Sequence, residues 1–377
     1  MQTMELTRVN ELPSPTWNRL AINNCTLNVP VPAQGADEVA RVAADAAAAY
    51  VKRPCEQSLE ERSGLRSGLG AAAQAWLEAA ASQRVRVDVP ARVTQEEPIE
   101  VVVRGEAGEV AVSDVTLGEG ARAQVVVVAT SGAEGDATCG ALTRLTLGEG
   151  ARARVHVLCA LHDGYQHLND LQIALADGAA VDVTYHLLGA GRCAAGMDVD
   201  CAGFHSACRT DVRYLTRNDE VLDMNYVMRL RGRKSTAAFD AYGVMGGTSS
   251  KTLRDTIDLV HGGKGAAGRE QETVLLTSQG VTNKSLPVVL CDEDDVAGEH
   301  GATVGAVSPD QLDYLRTRGL SEHEAQALFA RSVLDSAVAH SVTSADRAAA
   351  LALAERIMGA DAAGEIADVA VDAEGTR

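Results

Sequence analysis

The chain has 377 residues, 46% of them hydrophobic and 23% charged, but only 3% aromatic, with three Phe in all. A core of that size must be built from Val, Leu, Ile and Ala, which suits short strands stacked in layers. The formal net charge of −18 repels phosphate backbones and anionic lipid, so nucleic acid and membrane surfaces are excluded as partners.

Residues 1–15 carry neither an apolar run nor a basic leader. No stretch reaches the roughly 20 apolar residues of a membrane helix, so a cytoplasmic protein is expected. Its eight cysteines should then stay reduced. Residues 1–35, broken by Pro13, Pro15, Pro30 and Pro32, read as an irregular extended arm. Residues 37–51 are alanine-rich, acidic at the start and followed by Lys52 and Arg53, which predicts a helix. A polar connector, 54–67, leads to a second predicted helix over 68–81 that carries Trp76 and Leu77.

The pattern changes at Val85. Residues 85–89 alternate strictly and 99–103 are β-branched, so both read as strands. A repeat then appears: the motif LGEGARA starts at Leu117 and again at Leu147, and a weaker copy, LADGAAV, starts at Leu175. Each copy is followed by alternating valines. A unit of about 30 residues holding a strand, a glycine turn and a second strand predicts a β-solenoid, because one unit cannot bury its own apolar face. No proline occurs between Pro98 and Pro287, as expected of interior strands, where proline cannot donate to the ladder.

From Ser308 the pattern turns helical. Ser308-Pro309 caps a predicted helix that stops at Gly319, and Ser321 and Glu324 form a capping box for a second, reaching about His340. Ser344 opens a third helix ending near Met358, and the acidic remainder from Gly359 reads as frayed. The fold class is therefore mainly β, a parallel β-helix flanked by helices. Its divisions are 1–84 (arm and helical region), 85–305 (β-helix core) and 306–377 (C-terminal helical domain).

Four passages resemble the SufB/SufD family of SUF iron–sulfur cluster assembly proteins. They are LPSPTWN from Leu12, GGKGAAGREQE from Gly262, NKSLPVVLC from Asn283, and VAGEHGATVG from Val296 leading to DYLRTRG from Asp313. The resemblance implies a right-handed β-helix and a scaffold rather than an enzyme. It implies pairing with a SufB-type paralogue, or with a second copy of this chain. It further implies docking of a SufC-type ATPase on the C-terminal helices, with Tyr314, Leu315, Leu328 and Phe329 as anchors. No stably held cofactor is implied, only a transient iron–sulfur cluster or iron at the partner interface. The family has two branches. SufB-type chains carry a Cys at the position of Val281 and read His-Glu-Ala-Thr where this chain reads His300-Gly301-Ala302-Thr303. Both departures point to the SufD branch.

Two residues near the end of the solenoid carry candidate chemistry. His300, in an apparent Glu-His-Gly turn, is a competent iron ligand as a neutral imidazole, and the resemblance places it at the interface with the paralogue. Cys291 closes a Val-Val-Leu strand and reads equally as a soft ligand or as a small core residue. The acidic run Asp292 to Asp295 reads as a solvated turn. Cys193, Cys201, His205 and Cys208 lack the spacing of a structural zinc site. Gly246-Gly247 and the glycines of 262–268 are not a phosphate loop, so ATP hydrolysis is assigned to the partner. The alternatives are a SufB-type primary scaffold and, from another class, a β-helix carbohydrate-active enzyme, for which signal and aromatic sugar platforms are lacking.

Overall fold

The computed structural model describes residues 2–16, 18–32 and 64–374. The helix expected over 37–51, most of the 54–67 connector, Cys55 and Trp17 lie outside them. Eighteen strands and five α-helices follow one another along the described chain. Sixteen strands form two eight-stranded parallel sheets. The first sheet holds β3 (Gln83–Val89), β5 (Val110–Leu117), β7 (Thr138–Leu147), β9 (Gln166–Leu175), β11 (Arg192–Cys201), β13 (Val221–Leu230), β15 (Ser250–Leu259) and β17 (Thr282–Cys291). The second holds β4 (Ile99–Arg104), β6 (Arg122–Thr130), β8 (Arg152–Ala160), β10 (Ala180–Gly189), β12 (Ala207–Thr216), β14 (Thr236–Met245), β16 (Ala267–Leu276) and β18 (Ala297–Ala306). Consecutive strands alternate between sheets, so each coil contributes one strand to each layer. The product is a parallel β-solenoid of eight coils.

The repeat seen in the sequence is the coil period. Leu117 pairs in register with Leu147, and Leu147 with Leu175, so the motif leucines form one column inside the solenoid. The turn after each leucine needs a left-handed residue, and Gly120, Gly150 and Gly178 supply it at φ 64°, 65° and 65°. The turns stack as well: the Gly120 amide donates to Glu149 at 2.7 Å and the Gly150 amide to Asp177 at 2.8 Å. Small and β-branched side chains such as Val125, Val155 and Val183 fill the lumen between the sheets. Pro287 lies inside β17, the edge strand of the first sheet, where its missing N–H costs no ladder bond.

Both outer faces are partly covered. Against the first sheet lie α1 (Ala71–Ala80) and a two-stranded antiparallel sheet of β1 (Thr3–Val9) and β2 (Cys25–Pro30). The arm expected to be irregular is thus a small sheet. Leu6, Val9, Leu27 and Val29 bury one face of it against Leu69, Trp76 and Leu77, and the Trp76 indole donates to the Pro30 carbonyl at 2.8 Å. Buried ion pairs fasten this layer. Arg254 joins Asp223 at 2.7 Å, and the Asn10 amide donates to that same carboxylate, also at 2.7 Å.

Against the second sheet lie α3 (Glu322–Ala339), α4 (Ser344–Met358) and α5 (Ala360–Glu374), preceded by α2 (Pro309–Thr317). Val126, Val128, Leu158, Leu188, Leu215 and Val244 face outward from the sheet and share one core with Val333, Leu334, Ala337, Leu353 and Ile357. The C-terminal helices are therefore a second layer on the solenoid, with no separate core of their own. Within the segment expected to fray from Gly359, Ala360–Glu374 is helix α5, because Ala363 and Ile366 are buried in this same seam; the last three residues lie outside the described ones. Capping boxes at Ser308 and Ser321 start α2 and α3 as their sequences require.

Candidate functional site

The last coil, β17 and β18, has no coil stacked beyond it. In a parallel solenoid held in register, each residue points the same way as its partner on the previous coil. His300 pairs with Glu270, which pairs with Phe239, which pairs with Thr210. These partners are buried lumen residues, so His300 occupies a lumen-facing register at the open end. Cys291 does too: it pairs with Leu259, which pairs with Leu230. Both side chains are exposed, because no further coil covers them.

The expectation of a turn at His300 is corrected here. Residues 297–306 form a continuous strand despite Gly298, Gly301 and Gly305, because pairing with β16 supplies the order that glycine cannot. Cys291 does end its strand, and its thiol lies 3.4 Å from the Glu293 carbonyl. The acidic turn between them stacks on the turn below. The Glu293 carboxylate accepts from the Gly262 amide at 2.9 Å, a bond that holds its pKa below the usual value.

Beneath the last coil lies a buried polar cluster that sequence reasoning missed. Lys251, Asp255, Glu270 and Glu272 are all lumen residues and almost fully enclosed. The Lys251 ammonium is 2.5 Å from Glu272 and 3.0 Å from the Ser285 hydroxyl, and the Tyr214 hydroxyl donates to Glu272 at 2.8 Å. Neither carboxylate oxygen of Glu270 has a hydrogen-bond partner. Desolvation, with Asp255 nearby, pushes the Glu270 carboxyl up to about 9. Asp255 rises to about 7, through burial first and then the charge of Glu272. The signal was legible in principle: Glu-Gln-Glu at 270–272 alternates like a strand, so its two acids fall on a face where earlier coils place Val, Ala and Leu.

Among the described residues, the thiols of Cys139, Cys159, Cys193, Cys201 and Cys208 are buried. Cys139, His167 and Cys193 form one column through β7, β9 and β11, and the Cys139 thiol is 3.4 Å from His167 Nδ1. Burial raises the Cys139 thiol and lowers the His167 imidazole to about 4, so both are neutral and the pair is unreactive. Cys201 and Cys208 face the lumen, whereas His205 lies in an exposed turn at φ 56° against Phe204. They do not converge, and no three metal-ligating side chains are gathered among the described residues. The glycine pair Gly246-Gly247 and Gly262–Gly265 sit in turns between strands.

Beside the open end, the second sheet and the C-terminal helices leave an apolar groove of about 460 Å³. It brings together all four residues expected to anchor a partner: Tyr314 and Leu315 from α2, and Leu328 and Phe329 from α3. Leu275 and Val307 also line it. Tyr314 and Leu328 are 56% and 50% exposed, among the largest apolar side chains left in solvent.

The core-domain model of the SufBD proteins of the SUF iron–sulfur cluster assembly system matches residues 102–333, well over half of the chain. The chain belongs to the SufBD family. Among curated relatives, SufD of Bacillus subtilis is 35% identical over 97 residues, which is 26% of this chain and 22% of that protein. A SufBD-family cluster assembly protein of Synechocystis is 24% identical over 143 residues, 37% of this chain and 30% of that one. A third, from Mycobacterium bovis, is 40% identical over 80 residues, 20% of this chain and 10% of its own length. The matches thus span less than a third of each relative. No helix among the described residues is long and apolar enough to cross a membrane.

Proposed function

We propose that this chain is a SufD-type scaffold subunit of a SUF iron–sulfur assembly complex, cytoplasmic and non-catalytic. It pairs with a SufB-type paralogue through the open end of the solenoid and carries a SufC-type ATPase on its C-terminal helices. The observation that supports the first half is the placement of His300 and Cys291. Both stand in lumen-facing registers of a coil that nothing covers, so a second chain laid against that end would enclose them. His300 then offers an imidazole, and Cys291 a thiol, to iron or a nascent cluster passing through the interface as cargo. The SufD reading rather than the SufB one rests on Val281. It lies just before β17 and packs against the lumen core, where a SufB-type chain would have a thiol. Family membership disfavours the carbohydrate-enzyme alternative.

The groove supports the second half. Apolar side chains held half-exposed around a cleft are what a docking helix or loop needs to bury. Whole deletion of the C-terminal segment is the wrong test, because it would strip the apolar outer face of the second sheet. The cleaner experiment pairs two variants of the full chain, co-expressed with the candidate partners. His300→Ala should leave the complex intact and lower its iron and sulfide content at least about tenfold. Tyr314→Ala with Leu328→Asp should weaken capture of the ATPase by about thirtyfold or more, the usual cost of two interface anchors, and leave the paralogue bound. Normal iron and sulfide on His300→Ala would remove this residue from the site. Undiminished ATPase capture would move the docking surface elsewhere.

A further inference from the structure

The seam between the second sheet and the C-terminal helices is mainly apolar, with polar contacts at its margins from Thr343 to Glu100 and from Arg356 to the Ala160 carbonyl, and one polar row runs through its enclosed part. There, four polar side chains form a single chain across it. Asp346 of α4 lies 2.9 Å from His156 Nδ1 of β8. His156 Nε2 is 3.0 Å from His186 Nδ1 of β10, and His186 Nε2 is 3.1 Å from the Ser336 hydroxyl of α3. Asp346 and His186 are fully enclosed and His156 is 3% exposed. At its outer end the chain meets exposed His340, whose Nδ1 is 3.4 Å from the Ser336 hydroxyl, so protons have a route in from solvent.

We propose that this Asp346–His156–His186–Ser336 chain is an acid-sensitive latch that holds α3 and α4 on the solenoid. The contact between His156 Nε2 and His186 Nδ1 has room for one N–H. With His156 doubly protonated against Asp346, His186 stays neutral, accepts at Nδ1 and donates from Nε2 to Ser336. With both rings neutral, His186 donates to His156 and accepts from Ser336. In either state the two hydrogen-bonded contacts, His156 to His186 and His186 to Ser336, each pair a donor with an acceptor, while Asp346 stands beside His156 Nδ1 as a charge at 2.9 Å outside hydrogen-bond geometry. One more proton makes both rings cationic and sets two N–H groups head to head at 3.0 Å in a desolvated seam. The charges facing His186 do not relieve this. Arg213, its register partner on β12, and His340 from α3 both oppose a positive charge, and Asp346 is spent on His156. The β6 neighbour of His156 is Val126, and the α5 acid Glu365 is tied to Arg331. Burial and these cations hold His186 well below the usual histidine range.

The sign follows. A histidine depressed in the folded state costs stability as pH falls below its unfolded value of about 6.5. Since the chain ties the helices to the sheet, the cost falls on helix docking: at pH 5 the opening equilibrium of α3 and α4 should rise about thirtyfold. Backbone hydrogen exchange of the full chain between pH 7.5 and 5, corrected for intrinsic rates, reads this directly, with α1 as internal reference. Protection in α3 and α4 should fall by that factor relative to α1. His186→Gln cannot take up the extra proton and should flatten the step, and Ser336→Ala should keep it. Uniform protection of α3 and α4 down to pH 5 would overturn the latch. An unchanged step in His186→Gln would do the same. If that variant does not fold, imidazole nitrogen shifts in the unsubstituted chain decide. The latch requires the His186 ring to stay neutral down to pH 5, whereas a His186 titration near 6.5 would refute it.

Discussion

Glu270 is enclosed by the last coil with no partner for either oxygen, and Asp255 lies near enough to oppose its charge. A buried, unpaired carboxyl is tolerated only when neutral. Between pH 4.5 and 9 the folded chain therefore binds more protons here than the unfolded chain does. Stability from these two groups is complete below about pH 4 and is lost as pH rises, first through about 7 for Asp255 and then about 9 for Glu270. The urea midpoint should thus fall from pH 6 to pH 8, equivalent to about 1 kcal/mol or more. Glu270→Gln, neutral and nearly the same shape, should flatten that slope. A midpoint independent of pH, or a slope unchanged in the variant, would show that these carboxyls are paired or solvated.

At the scale of elements, the glycines divide into two kinds with different consequences. Gly150 is needed for its backbone angle of +65°, and a Cβ there would meet nothing within 4 Å. Gly150→Ala should cost only about 1 kcal/mol, and Gly150→Asn less, since asparagine tolerates the left-handed region. Gly191 is needed for space: a Cβ would fall 1.7 Å from the Asp163 carbonyl oxygen of the coil below. Gly191→Ala must force adjacent coils apart and should cost upwards of about 3 kcal/mol. Thermal unfolding of the two variants side by side would separate these roles. Equal losses would contradict the stacked-turn geometry. The helices repeat the lesson. Their caps are local and were readable, whereas the seam they share with Val126, Leu158 and Leu188 joins residues some 150 to 200 positions apart.

For the whole molecule, the two ends of the solenoid are its exposed edges. β17 and β18 each present ten residues of strand with one side unpaired, which invites another strand. Pro287 guards only part of β17. In β18, Val304 is 56% exposed and stands in the lumen-facing register above Val274. If this end is the pairing surface, Val304→Lys should leave melting unchanged and abolish association with the paralogue, or of the chain with itself. Light scattering during size exclusion, across a range of concentrations, would show it. Association unaffected by the substitution would place the interface on another face.

What the sequence by itself determined was whatever repeats or acts over short range. The thirty-residue period, the glycine turns, the proline-free interior and the helix caps at Ser308 and Ser321 each depend on neighbours in the chain or on one coil stacking on the next. Tyr314, Leu315, Leu328, Phe329 and His300 were singled out through the resemblance and Cys291 through its residue type at a strand end; only the tertiary structure shows that the first four line one groove and that the other two are exposed on the last coil. Three further things were decided only by the tertiary structure. Thr3–Val9 and Cys25–Pro30 of the expected arm form a sheet because α1 gives them an apolar surface to bury against. His300 lies in a strand because β16 pairs with it. Glu270 meets Asp255, and Asp346 meets His156 and His186, because the stacking of coils and the return of the C-terminal helices bring together residues with no sequence relation. A solenoid's period fixes which residues share a column, but what faces that column across the lumen, or is laid over it from outside, depends on how the layers close. Those contacts are where the buried charges and the latch reside.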